Sequence, residues 1–196
     1  MVTLNTLKML ESFKPQSRLT FKEIKKLSRQ NSNNAVQKTI KDFLKDNILN
    51  KEKAGNVIIY SLNLNSSLTL AYLNLLNEEK IKNFQPIINN LKTSLLKKTA
   101  SFILLIFGSY AKKTQKDTSD IDIAVITENK KNLIPILESF KRRELKKIDY
   151  HMFTEEEFKE MLKEEQENLG KQIYKNSIIC HGYITYINLI KNERPS

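Results

Sequence analysis

The sequence predicts a mixed α/β (α+β) protein in three stretches: a helical N-terminal part closed by a β-hairpin over 1–64, a helical connector over 65–98, and a small mixed sheet with helices over 99–196. Three observations carry this. Apolar residues recur at helical spacing through most of the first 98 positions, and two strand-like runs flank Gly55. From residue 101 a buried-type apolar run is followed by two segments in which acids alternate with apolar side chains.

Among 196 residues, 40% are hydrophobic and 28% charged, the balance of a globular protein able to bury a core. The longest apolar run, Phe102 to Phe107, is far shorter than the ~20 residues a membrane-spanning helix needs. Asn5, Lys8 and Glu11 interrupt the first thirteen positions, which excludes the continuous apolar core of a secretory signal and leads us to expect a cytoplasmic protein without membrane partners. The single cysteine, Cys180, excludes both a disulfide scaffold and a Cys-rich zinc site.

Taken in order, Leu4, Leu7, Leu10 and Phe13 predict a first short helix that Pro15 ends. Thr20 and Glu23 form a capping box ahead of Phe21, Ile24 and Leu27. Ser28 to Ser32 is a turn, Ser32 or Asn31 caps the next helix, and Val36, Ile40, Phe43 and Leu44 mark its apolar face. Asn47 is placed to close that helix in the left-handed conformation. Ile48 to Lys53 and Val57 to Leu62, joined at Ala54-Gly55-Asn56, predict a hairpin with a basic tip. This order resembles a winged helix-turn-helix domain over residues 1–64. The resemblance implies that Asn33, Asn34, Gln37, Lys38 and Lys41 enter the major groove of duplex DNA while Lys51 and Lys53 touch phosphate.

The charge distribution agrees with that expectation. Of a net charge of +11, residues 1–64 carry +7, residues 65–98 carry +3, and residues 99–196 carry +1. A basic N-terminal third suits a polyanion, because neutralised phosphates release condensed counterions. A Lys-rich composition throughout the chain is the competing explanation.

In the connector, Ser66 or Ser67 caps a helix bearing Leu68, Ala71, Leu75 and Leu76, and Pro86 suits the first turn of a helix bearing Ile87, Ile88, Leu91 and Leu95. An amphipathic connector must cover its apolar face with a neighbour or a second copy of the chain, which makes it a candidate homodimerisation element.

The chemistry-bearing residues follow residue 101. The apolar strand Phe102 to Phe107 runs into Gly108-Ser109, where a helix begins: the glycine permits close approach of a phosphate, and Ser109 with the helix N-terminus offers it hydrogen bonds. Asp120-Ile121-Asp122 opens a second strand, on which residues two apart share a face. Asp149 alternates with Ile148 and Met152 on a third. Gathered carboxylates repel one another unless a divalent cation neutralises them, and magnesium suits an all-oxygen set. Three such acids on adjacent strands are able to hold two metal ions for an in-line displacement at phosphorus.

The ordered set of hydrophobic strand, Gly108-Ser109-Tyr110-Ala111, Ser119-Asp120-Ile121-Asp122 and a later isolated Asp149 resembles the minimal nucleotidyltransferases of the DNA polymerase β-like superfamily, over residues 99 to about 190. The resemblance implies that Asp120 and Asp122 ligate magnesium, that Asp149 joins them and activates the acceptor hydroxyl, and that Ser109 contacts the terminal phosphates of a nucleoside triphosphate, with ATP favoured. It implies transfer of a nucleoside monophosphate with release of pyrophosphate, a reaction of the EC 2.7.7 type. The segments Glu155 to Lys175 and Ile178 to Ile190 also resemble the C-terminal helices of such proteins. One departure stands out: Lys112-Lys113 replaces the Arg-Gly pair of many similar proteins, giving phosphate a point charge in place of a bidentate fork and removing a glycine from the loop.

Other residues have plainer expectations. His151 and His181 read as packed or surface histidines. Tyr150 and His151 flank Asp149 and are placed either to line its pocket or, the favoured reading, to pack on the strand. The acidic run from Glu155 reads as a solvated helix face behind a Thr154–Glu157 capping box, and Arg142-Arg143 as a helix C-terminus. Two alternatives to a DNA-tethered enzyme stay open: a DNA-binding regulator whose C-terminal domain senses nucleotide without turnover, and a toxin–antitoxin component that nucleotidylates a partner protein or RNA.

Overall fold

The computed structural model describes residues 4–82 and 85–193, so residues 1–3 of the predicted N-terminal stretch, 83–84 inside the predicted connector and 194–196 of the predicted C-terminal stretch lie outside the described residues. The chain divides into two compact units, residues 1–76 and 77–196, with the division inside a helix that the sequence assigns to the connector.

The first unit begins with helix α1 (Leu4–Leu7), which tightens into a 3-10 turn over Lys8–Ser12. The sequence predicts a single α-helix here. Leu7, Leu10 and Phe13 are each three residues apart, and a three-residue repeat aligns them on one side of a 3-10 turn, so all three are buried. A two-residue strand, β1 (Leu19–Thr20), then leads into α2 (Phe21–Leu27). Its capping box forms as expected, with the Glu23 N–H donating to Thr20 Oγ1 at 3.3 Å and the Thr20 N–H donating to Glu23 Oε2 at 2.7 Å. On α2 only Ile24 is fully buried, and Leu27, predicted for the core face, is 54% exposed.

Ser32 caps α3 (Asn33–Lys45) by accepting from the Ala35 N–H, and Val36, Ile40 and Phe43 are buried as the spacing predicts. Asn47 adopts φ +58° directly after α3. Strands β2 (Leu49–Ala54) and β3 (Val57–Leu62) pair antiparallel with Ala54 opposite Val57, so Gly55 and Asn56 form a two-residue turn. β1 adds to the other edge of β3, pairing Leu19 with Tyr60, which makes three strands in the order β1-β3-β2 where the sequence predicts two. A two-residue strand is too short to show alternation, which is why it was hidden. Asn33, Asn34, Gln37, Lys38, Lys41, Lys51 and Lys53 are all exposed, and Arg18 bridges Glu52 of the hairpin at 2.7 Å.

α4 (Ser67–Ile81) crosses the division between the units. Its buried positions include Thr69, Leu70, Leu73, Leu76 and Asn77, whereas Leu68 and Leu75 are 38% and 45% exposed. Of the expected Leu68, Ala71, Leu75 and Leu76, only Leu76 is buried, and the helix buries a different stripe. Buried polar side chains explain the error: Thr69 donates its hydroxyl to the Ile48 carbonyl, and the Asn77 amide pairs reciprocally with the backbone of Ile179 at 2.6 and 3.2 Å.

The second unit is built on a four-stranded sheet in the order β6-β5-β4-β7, from β4 (Ile103–Ile106), β5 (Ile121–Ile126), β6 (Ile148–Phe153) and β7 (Ile178–His181). β4 runs antiparallel to β5 and to β7, and β5 and β6 are parallel through the crossover helix α7 (Lys130–Arg143). One sheet face, with Leu104, Ile106, Ile121, Ile123, Val125 and Ile148, packs against Leu133, Leu137 and Phe140 of α7 and Ile88, Leu91 and Leu95 of α5 (Gln85–Leu96). The apolar face of α5 is thus buried inside its own unit, which meets the covering requirement that suggested a second copy of the chain. α6 (Gly108–Lys112) follows β4, and α8 (Glu155–Lys163), α9 (Leu169–Lys175) and α10 (Tyr183–Ile190) complete the unit. An aromatic chain of Phe153, Phe158 and Tyr186 links β6 to α8 and α10 on the opposite sheet face. Among the described residues no helix is long and apolar enough to cross a membrane.

Candidate active site

Parallel pairing places Asp122 directly opposite Asp149, with Ile121 opposite Ile148. Side chains alternate along a strand, so the two aspartates share the sheet face away from α5 and α7, and Asp120, two residues before Asp122, lies on the same side. Asp120 itself stands just outside β5, where the sequence reading had placed it on the strand.

Gly108 completes this end of the sheet. It adopts φ +67°, a conformation that favours glycine, and a β-carbon built on it would fall 1.9 Å from Asp122 Oδ2. The space beside Gly108 where a side chain would stand is filled by the Asp122 carboxylate. The Ser109 N–H donates a hydrogen bond to the same carboxylate. Burial first, then the charges of Asp149 and Asp120, push the Asp122 carboxyl above its usual range, while His151 and the Ser109 N–H work the other way.

The outer acids each have a basic neighbour. Asp120 Oδ2 lies 2.6 Å from Lys147 Nζ, and that hydrogen bond and charge hold Lys147 above its ordinary range. Asp149 Oδ2 lies 3.3 Å from His151 Nε2. Among the described residues no three His, Cys, Asp or Glu side chains stand close enough together to hold a metal ion. The backbone thus brings three carboxylates to one end of the sheet, with Asp120 paired to Lys147 and Asp149 beside His151. The donors are all hard oxygens, suited to magnesium rather than to a transition metal.

The sequence reading does not expect Lys147 beside the acids, and it names His151 as flanking Asp149 but favours packing for it, whereas each side chain stands against an acid. Both lie two residues from Asp149, and the period-2 rule that paired Asp120 with Asp122 applied equally to them. The remaining histidine, His181, packs on Phe102 with ring centroids 4.4 Å apart, and burial lowers its pKa. Tyr150 packs on the α7 side of the sheet and donates its hydroxyl to Glu138. Lys112 is the last residue of α6, and Lys113 after it sits at φ +57°, the left-handed conformation that the Arg-Gly pattern assigns to glycine.

No curated protein matches the chain. Residues 89–181 match the family model described as Polymerase beta, Nucleotidyltransferase, a stretch running from α5 to β7 that includes Ser109, Asp120, Asp122 and Asp149. That match supports, for this stretch, a transferase of the nucleotidyltransferase kind and a likeness to the polymerase β-like superfamily.

Proposed function

We propose that residues 77–196 transfer a nucleoside monophosphate from a nucleoside triphosphate, ATP by preference, to an acceptor hydroxyl, with Asp120, Asp122 and Asp149 as the magnesium ligands. The observation that carries this is the in-register pairing of Asp122 with Asp149 next to the Gly108-Ser109 turn. Binding a divalent cation requires Asp120 to release Lys147 and Asp149 to release His151. The first exchange is easy, because Lys147 is 76% exposed and water readily takes the place of its partner. Magnesium bound there supplies neutralisation of the triphosphate charge and acidifies the attacking hydroxyl.

The chain's own groups do the rest. Ser109 Oγ donates to a terminal phosphate, and Lys112 adds a positive point charge at the exit of the same short helix. Asp149 accepts the proton of the acceptor hydroxyl as its oxygen bonds to the α-phosphorus and the bond to pyrophosphate breaks. His151, 3.3 Å from Asp149, sets the orientation of that carboxylate before the substrates bind.

The winged-helix reading of residues 1–64 is part of this proposal. Its support is the exposure of Asn33, Asn34, Gln37, Lys38 and Lys41 on one helix and of Lys51 and Lys53 on the hairpin, within a stretch carrying +7. Duplex DNA is the proposed partner, with α3 in the major groove.

Incubating the full chain with magnesium, cell extract and each labelled ribonucleoside triphosphate in turn tests the catalytic reading. Label should enter a macromolecule with wild-type protein and not with Asp120→Asn. Asp149→Ala should keep nucleotide binding while losing transfer. Transfer by Asp120→Asn at the wild-type rate overturns the ligand assignment.

A further inference from the structure

The segments bearing the proposed ligands are joined by side chains outside the set of acids. Tyr110, next to Ser109 in α6, is 6% exposed, with its ring in the core formed by Leu104, Ile121 and Phe140. Its hydroxyl donates to the carbonyl of Ser119, the residue before Asp120, at 3.4 Å. The same hydroxyl accepts from Lys146 Nζ at 2.8 Å, and that ammonium lies 5.3 Å from the Tyr110 ring centroid. Lys146 precedes Lys147, whose carbonyl accepts from the Ile121 N–H at 2.9 Å. Three stretches of chain thus meet at one phenol: the turn with Ser109, the approach to Asp120, and the approach to Asp149.

Asp120 has particular need of such support. Asp122 lies within β5, between β4 and β6, and its carboxylate accepts from the Ser109 N–H, whereas Asp120 stands outside the strand. Immediately before it, Ser119 takes part in a small loop in which its N–H donates to the Lys116 carbonyl and its hydroxyl accepts from the Lys116 N–H. Nothing in that loop ties it to α6 at this point except the phenol, among the hydrogen bonds of Ser119 described.

We propose that Tyr110 and Lys146 are positioning residues for Asp120: the phenol, oriented by Lys146, fixes the Ser119 carbonyl and so sets where the Asp120 carboxylate stands relative to Asp122 and Ser109. The inference rests on the nucleotidyltransferase reading, since it concerns one of the proposed magnesium ligands. Its consequence is selective. Loosening the bracket leaves Asp122 and the sheet in place and weakens the cation-dependent part of nucleotide binding.

The test uses the full chain with Tyr110→Phe, which keeps the ring in the core, and with Lys146→Met and Lys146→Arg. Binding of each ribonucleoside triphosphate is titrated against magnesium by calorimetry, and amide exchange is followed over residues 113–120. For Tyr110→Phe and Lys146→Met, the magnesium concentration giving half-maximal nucleotide binding should rise about threefold to tenfold, the range that one lost hydrogen bond produces. Exchange over 113–120 should quicken, the double variant should be little worse than either single one, and Lys146→Arg should restore binding, because arginine also donates to the phenol. A magnesium requirement unchanged in both single variants, with the wild type binding nucleotide, overturns the positioning role alone, even if exchange quickens. A wild-type chain with no magnesium-dependent binding of any of the four nucleotides overturns the functional reading, and the positioning role with it.

Discussion

Gly108 and Asp122 occupy one another's space: the only side chain that fits at Gly108 is a hydrogen atom, because an Asp122 oxygen stands 1.9 Å from where a β-carbon would be. Gly108→Ala should therefore do two separable kinds of harm. The left-handed backbone costs an L-residue about 1–2 kcal/mol, and expelling the carboxylate costs more. Gly55 supplies the control, since it has φ +59° with nothing within 4 Å of a built β-carbon. Urea unfolding should show Gly55→Ala losing only the backbone part, and Gly108→Ala losing more, together with nucleotide binding.

Asp122→Asn should raise the melting temperature in EDTA at neutral pH. Burial and two neighbouring acids raise the Asp122 pKa, so ionising it opposes folding. The sign follows from that direction: the penalty is absent below the ordinary carboxylate range and is complete once the pH has risen through the raised pKa. The gain should hence vanish in acid. Magnesium should invert the order, since a cation at a hundred times its dissociation constant stabilises the wild type by about 2.7 kcal/mol and the variant by much less. Melting curves with and without magnesium check both halves, and a variant less stable than the wild type in EDTA counts against the burial and repulsion assigned to Asp122.

Lys113→Gly should stabilise the chain by up to about 1 kcal/mol. Lysine at φ +57° carries the left-handed strain of about 1–2 kcal/mol, and glycine returns part of that gain through its freer unfolded state. Chemical denaturation of the two proteins decides it, a loss of stability being the contrary result.

Lys51→Ala with Lys53→Ala should leave folding unchanged, because both side chains are exposed on β2. If both reach phosphate, the slope of log affinity for duplex DNA against log salt should flatten by about two, at roughly 0.9 per contact. Asn34→Ala or Gln37→Ala should alter sequence preference with the slope intact. Fluorescence anisotropy across a salt series reads both, and an unchanged slope removes the hairpin from the interface.

Cys180 should resist alkylation in the folded chain even at about pH 10, above the ordinary thiol range. It is 4% exposed in the core, and burial pushes its pKa up to about 12. Mass spectrometry after iodoacetamide treatment should find it modified only once urea unfolds the protein, and rapid labelling of the native chain is the opposing result.

Legibility in the sequence followed signal length. The capping boxes at Thr20 and Thr154, the left-handed Asn47 and the strands bearing Asp122 and Asp149 each rest on a local rule, and each stands where that rule puts it, with Asp120 one residue outside its strand. β1 is two residues long and has no period to detect. The buried stripe of α4 was misassigned because Thr69 and Asn77 are buried for the hydrogen bonds they make, which a hydrophobic pattern does not register. In the site, strand alternation located the acids and their shared face. The same alternation puts Lys147 and His151 on the face of Asp149, but which acid each one meets, Asp120 for Lys147 and Asp149 for His151, is set by the pairing of β5 with β6 and not by spacing within one strand.

The parallel pairing of β5 with β6 also divides future sequence change into two classes. Residues added to the crossover between Thr127 and Lys147 lengthen a connection whose ends are already anchored, at an entropic cost that grows only with the logarithm of its length. One residue added between Ile148 and Asp149 turns every later side chain of β6 over, sending the carboxylate toward α7 and the Tyr150 ring toward the acids. Descendants of this chain are therefore free to vary in the length of their crossover, while the spacing inside the two strands is closed to insertion and deletion alike.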